Sequence, residues 1–259
     1  MKAATFFAFI FLSSNLFGQV YPRTKFTKEQ YYTQNKDNLR MKANDFRVDI
    51  VNGKLQVSKS AYKFNEDVFS TGKLLPLDVG EWGGAVYYRP YDTTQKAFYI
   101  NGRLDTVRAN PINAFWSKFF SKSQIDRYKG SVKVLDGAVT SIFKYKDSLY
   151  LVGDAIYSID LKKNTFTTKT VLHYKGYLND IEVAAPLNQE ILVATGNDFY
   201  VVDSDWRSKL IFEEVEWRSL YINSIAVLDE HHIYLGMRGG YAEIDLPNKL
   251  LVFNKYKQD

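Results

Sequence analysis

"VTSIFKYKDSLYLVGDAIYSIDLKKNTFTTKTVL", Val139 to Leu172, decides the reading of the fold. It runs as a short apolar strand, a polar turn, an apolar strand ending at Gly153, a strand ending at Asp160, a turn and a last strand. Two later stretches lie on it in the same order: "DIEVAAPLNQEILVATGNDFYVVDSDWRSKLIFEEV" from Asp180, and "SIAVLDEHHIYLGMRGGYAEIDLPNKLLVFNKY" from Ser224. Gly153, Gly196 and Gly236 are 43 and 40 residues apart, and Asp160, Asp203 and Asp245 are 43 and 42 apart. A period of about 40 to 45 residues with four strands per unit implies small twisted sheets, each burying its faces by stacking on its neighbours.

Working backwards, "GGAVYYRPYDTTQKAFYINGRLDTV" from Gly83 matches the stretch from Asp136, with Ile100 opposite Val152. That spacing is 52, and the excess coincides with "NPINAFWSKFFSKSQIDRYKG" from Asn110. There Asn110 suits a cap and Pro111 a first helical position, while Ile112, Phe115, Trp116, Phe119 and Phe120 recur at helical spacing. The pattern predicts a short inserted amphipathic helix whose apolar stripe packs on its own domain. One step further back, "FRVDIVNGKLQVSKS" turns at Asn52-Gly53, a two-residue hairpin signal. The second strands are then expected to end near Val57, Ile100, Val152, Thr195 and Leu235, which makes five units.

This repeat resembles bacterial β-propeller repeat proteins at the superfamily level, over nearly all of Asp45 to Tyr256. The resemblance implies an all-β fold, with residues 45–259 forming a single β-propeller of about five four-stranded blades carrying the short inserted helix. The WD dipeptide and the kelch double glycine are not in register and calcium-binding DxDxDG loops are missing, so no family's active site transfers to this chain. Residues 20–44, polar and aromatic, are read as an N-terminal segment holding a helix from about Thr27 to Met41, or else supplying the strand that closes the ring.

The first residues, "MKAATFFAFIFLSSNLFGQ", place Lys2 ahead of an apolar run from Ala3 to Leu12 and then Ser13, Ser14 and Asn15. They match the charged, apolar and small-residue regions of a secretory signal peptide over residues 1–19, and imply export in a bacterium to the periplasm or beyond. The apolar run falls short of the ~20 residues that a membrane span requires. Losing this segment removes one of 34 basic residues and none of 29 acidic ones, so a net charge of +5 becomes +4. That charge is scattered singly, as at Lys54, Lys59 and Lys73, which argues against a nucleic-acid track or polybasic membrane patch. With no cysteine, disulfides and thiolate chemistry are excluded.

GxSxG, HExxH and GxxxxGK[ST] are absent, which removes the commonest hydrolase, metalloprotease and nucleotide readings. Asp160, Asp203 and Asp245 each precede a turn, where a carboxylate accepts bonds from the turn's amides, and a turn is needed in every unit. "DEHH", Asp229 to His232, falls at a hairpin tip where neighbouring side chains diverge, so no metal site is expected, and His173 reads as a surface or packing residue. "FEEVEWRS" places Glu214 and Glu216 on one face of an outer strand, read as a solvated edge.

The resemblance places binding residues on the loops at one mouth of a central channel. Loops entering each innermost strand contribute Glu81, Trp82, Asp136, Asn179, Asp180 and Asn223. Loops joining second and third strands contribute Arg103 and Arg238, with Asn101, Asp154, Asn197 and Asp198 beside them. Acids, amides, arginines and an indole make a binding surface in residue type, and lack a nucleophile or a matched acid-base pair. The leading expectation is a secreted, non-enzymatic protein, monomeric and without cofactor, that binds a protein partner or an extracellular ligand. The alternatives are a hydrolase or lyase using Glu81, Asp136 or Asp180, and an immunity or inhibitor protein. In "DVGEWGGAVYY", Asp78 to Tyr88, the glycines lead into a strand rather than a helix, which argues for architecture over a phosphate cradle.

Overall fold

A computed structural model describes residues 23–27, 44–59, 68–78, 84–112, 116–118, 120–174, 180–215 and 220–256. Residues 1–19, the expected Thr27–Met41 helix beyond Thr27, and Glu81, Trp82 and Asn179 lie outside them, so the signal peptide and those three site residues stand as sequence expectations.

In chain order the strands are β1 (Arg23–Thr27), β2 (Phe46–Val51), β3 (Lys54–Lys59), β4 (Gly72–Asp78), β5 (Gly84–Pro90), β6 (Ala97–Ile100), β7 (Arg103–Thr106) and β8 (Val132–Asp136). Next come β9 (Val139–Tyr145), β10 (Ser148–Gly153), β11 (Ile156–Lys162) and β12 (Thr165–Leu172), then β13 (Ile181–Leu187), β14 (Glu190–Thr195), β15 (Phe199–Val202) and β16 (Ser208–Phe212). The last four are β17 (Ser224–Asp229), β18 (His232–Met237), β19 (Gly240–Asp245) and β20 (Leu250–Tyr256). The all-β reading holds. Each of the three stretches from Val139, Asp180 and Ser224 folds as an antiparallel meander, because alternating apolar residues face their neighbours and short polar turns reverse the chain.

The single propeller of about five four-stranded blades does not form. Among the described residues the strands make five separate sheets of five, six, four, two and three strands, and none closes on itself. The stretch from Gly83, read as one unit, is divided. Its first strand, β5, pairs with β4 and β8. Its second, β6, turns back through Asn101-Gly102 into β7 and joins β12 in parallel, with Thr165 opposite Tyr99 and Phe166 opposite Ile100. Asn101 clamps that junction: its N–H donates to Phe166 O at 2.9 Å, and its side chain exchanges bonds of 2.8 Å with the Thr168 N–H and hydroxyl.

Packing explains the division. Strand β5 is buried on both faces, so it needs two covers. Val86 and Tyr88 pack with Phe98, Leu151 and Phe166 from the six-stranded sheet, while Ala85 and Tyr87 pack with Ile112, Tyr128 and Phe120 from the inserted segment. The insertion therefore occupies the outer face of β4–β5–β8, where a ring would have required another blade. Burial of each such aliphatic or aromatic side chain contributes about 1.5–3 kcal/mol.

The inserted helix also differs from expectation. Asn110–Ile112 are not helical, Trp116–Lys118 form one 3-10 turn, and the α-helix is α1 (Lys122–Asp126), with none of its residues buried. Its start is set by a capping box: Ser121 Oγ accepts the Gln124 N–H at 3.3 Å, and Gln124 Oε1 accepts the Ser121 N–H at 2.8 Å. Ile112 and Phe120 still pack inward as predicted, but from outside the helix.

The remaining contacts run from sheet to sheet. Strand β2 packs on β17 and β18, β17 on β13, and β13 on β9 and β10. Strand β1 pairs with β20, from Arg23 opposite Tyr256 to Thr27 opposite Val252, and so covers an edge of the C-terminal sheet. Among the described residues, no helix is long and apolar enough to cross a membrane.

Candidate functional site

The loops at the starts of β9, β13 and β17 lie at one end of these strands. At the first, Gly137 N donates to Gly84 O at 2.9 Å, which ties the end of the glycine-rich stretch to the β8–β9 turn. A Cβ on Gly84 would stand 2.3 Å from Leu77 O and 2.7 Å from Ala138 Cα, so that glycine is required by crowded backbone. The adjacent Asp136 is exposed and accepts from Lys133 Nζ at 2.6 Å. Asp154 borders the same turn and accepts the Tyr157 hydroxyl at 2.7 Å. Burial, and then that carboxylate, push the Tyr157 phenol up.

At the second loop, Asp180 is exposed and its carbonyl accepts Gly196 N at 3.1 Å. Asn197 O accepts Val215 N at 2.7 Å. Asp198 is committed to local structure, accepting the Tyr200 hydroxyl at 2.9 Å and the Glu214 N–H at 3.0 Å. Burial and the Asp198 carboxylate together push the Tyr200 phenol up, and burial pushes Tyr174, stacked on it at 4.4 Å, up to about 12.

The third loop carries the densest constellation. The Arg238 guanidinium lies 4.0 Å from the Tyr221 ring centre, and its Nε donates to Asp45 Oδ1 at 3.2 Å. Tyr221 is 54% exposed and takes a left-handed backbone, φ 51°, which a non-glycine residue adopts only where its surroundings hold it. Beside it, Asn223 Oδ1 accepts the Ser224 hydroxyl at 2.9 Å, while its buried Nδ2 meets no acceptor among the described residues. Ser224 Oγ in turn accepts the Val48 N–H at 3.0 Å and so fastens β2 to this loop. Tyr221 was hidden in the sequence because "SLYINS" reads as apolar lead-in to a strand.

Arg103 does not join these loops. It stands exposed at the β6–β7 tip, on the outermost strand of a sheet ordered β7–β6–β12–β11–β10–β9. Its place followed from treating β5 and β6 as neighbours, which they are not.

The turn aspartates behave unequally. Asp203 Oδ1 accepts the N–H groups of Asp205 and Arg207 at 2.9 and 3.0 Å, and Asp245 Oδ1 accepts that of Asn248 at 3.1 Å. Hydrogen bonds hold both carboxyls below the usual range, from the Arg207 amide first at Asp203 and from the Asn248 side chain first at Asp245. Asp160 instead pairs with Lys162 at 2.9 Å. The two histidines of "DEHH" diverge: His231 Nδ1 lies 3.1 Å from Asp245 and His232 Nδ1 2.8 Å from Asp229. His173 is exposed. Glu214 lies past the end of β16 rather than on it, and Glu216 is outside the described residues. Among the described residues, no three acidic or histidine side chains group to hold a metal ion.

A cleft of about 650 Å³ opens at the opposite end of β9, lined by residues of β9–β11 and by Val68 and Phe69. Sequence reasoning passed it over because Lys144, Lys146 and Lys162, from β9, the β9–β10 turn and the end of β11, read as solvated surface. No protein-family model matches the chain, and no curated protein matches it either.

Proposed function

We propose that this is an exported, non-catalytic binding protein that engages a partner protein through the loops at the starts of β9, β13 and β17, with Tyr221 and Arg238 as its anchor. The observation that carries this reading is the stack of Arg238 on Tyr221 at 4.0 Å, with Tyr221 itself 54% exposed. Tyr and Arg are among the side chains that most often dominate binding energy at interfaces: Tyr offers a large apolar surface with a polar edge and few torsions to immobilise, and Arg a planar guanidinium with several donors that also stacks on rings. Here the guanidinium is also anchored by Asp45, so the platform is set before a partner arrives. Asp136 and Asp180 flank it in the loop series as exposed carboxylates. Asp154 and Asp198 accept hydrogen bonds from tyrosines, a role that shapes loops rather than moves protons. The export signal in residues 1–19 supplies the setting.

A photo-crosslinking residue placed at position 221 tests this in the native host. It is expected to trap one defined partner, while the same residue at the exposed Leu250, on another part of the surface, does not. Tyr221→Ala is expected to weaken the isolated complex by about 2 kcal/mol or more with thermal stability retained. Equal trapping at both positions, or unchanged affinity, overturns the reading.

A further inference from the structure

We propose that the cleft between β9–β11 and the Val68–Phe69 segment binds a small monoanionic amphiphile, one carboxylate carried on an apolar body. Its volume of about 650 Å³ falls inside the range of roughly 300–1,000 Å³ typical of small-molecule sites. Phe69, Leu149 and Ile159 give it an apolar wall. That wall is fixed: Leu149 and Ile159 are buried, and the Phe69 ring meets Phe166 and Tyr88 edge-on at 5.9 and 6.1 Å.

Charge selects the headgroup. Among the described residues, the lining ionic groups are Lys144, Lys146 and Lys162 against Asp147 and Asp160, an excess of one positive charge. Lys162 closes on Asp160 at 2.9 Å, so the excess rests with Lys144 and Lys146 on either side of Tyr145. One carboxylate balances this charge, a dianion over-compensates it, and a neutral headgroup leaves the ammoniums without their partner. The cleft lies the length of β9, about 20 Å at ~3.3 Å per residue, from the loops at its start. It is therefore a second site, independent of Tyr221 and Arg238.

The test uses the full chain with 8-anilinonaphthalene-1-sulfonate as a fluorescent reporter, displaced by dodecanoate, dodecan-1-ol or dodecyl phosphate. Dodecanoate is expected to displace it at a concentration about tenfold below either of the others, the margin a charge-assisted contact supplies. In the double variant Lys144→Ala, Lys146→Ala that advantage is expected to vanish, with displacement by the alcohol unchanged. Both lysines are exposed, so the melting temperature should hold, and Tyr221→Ala should leave displacement untouched. Equal displacement by acid and alcohol, tighter binding of the phosphate, or a double variant that keeps its preference for the acid overturns the proposal.

Discussion

The Tyr128 hydroxyl donates to the Pro76 carbonyl at 2.6 Å, joining the inserted segment to β4 across 52 residues of sequence. Its ring also meets Tyr87 at 5.4 Å in an edge contact. This is the contact by which the insertion, rather than another sheet, covers β4–β5–β8. Tyr128→Phe is expected to cost about 1–3 kcal/mol, because Pro76 O is left buried without its donor. Tyr128→Ala should cost about 3–5 kcal/mol through the cavity it opens. Urea unfolding measures both, and a Phe variant as stable as the parent would show that the hydroxyl is dispensable.

Gly153 ends β10 where a Cβ would stand 2.1 Å from the Ala138 carbonyl oxygen. Backbone cannot retreat as a flexible side chain does, so Gly153→Ala is expected to lose about 1–3 kcal/mol as β9 and β10 are forced apart. The midpoint of chemical unfolding reads this loss, and Gly53→Ala, where no atom lies within 4 Å, separates crowding from a glycine's backbone freedom.

Ser224 is buried and is the acceptor for Val48 N. Ser224→Ala orphans that amide, with an expected cost of about 1–3 kcal/mol. The loss should be local in hydrogen exchange: amides of the β2–β3 hairpin exchange faster, while those of β13–β16 stay protected. Uniform acceleration across all sheets would contradict the role given to this bond.

Asp203, Asp229 and Asp245 have carboxyls held below the usual Asp range by hydrogen bonds, led by the Arg207 amide, the His232 ring and the Asn248 side chain respectively. A depressed folded-state pKa means stability that is present above the ordinary Asp value of about 3.9 and lost as pH falls through the lower folded value. Unfolding midpoints should therefore be level from pH 7 to about pH 5 and decline below about pH 4. Asp203→Asn should make that acid limb shallower, and a limb of unchanged slope would refute the assignment.

Much of the strand pattern was legible in the sequence. The continuous apolar runs of "SLYLVG" and "EILVAT", the Asn52-Gly53 turn and the glycine ending β10 are local matters of side-chain burial and backbone reach, and they formed as read. The aspartates at 203 and 245 cap their turns for the same local reason. Partners of neighbouring strands within the three later meanders were legible as well, but those of β4 to β8 were not, because every strand edge offers the same N–H and C=O groups and apolar pattern does not say which remote edge is met. The choice fell to remote packing: β5, apolar on both faces, took the insertion on one side and the six-stranded sheet on the other, while Asn101 carried β6–β7 to β12. That choice removed the ring of equal blades and stranded Arg103 on an outer edge. It was also the tertiary structure alone that set Arg238 between Tyr221 and Asp45, a partner 193 residues away, since opposite charge and ring stacking act through space and leave no spacing in the chain to read.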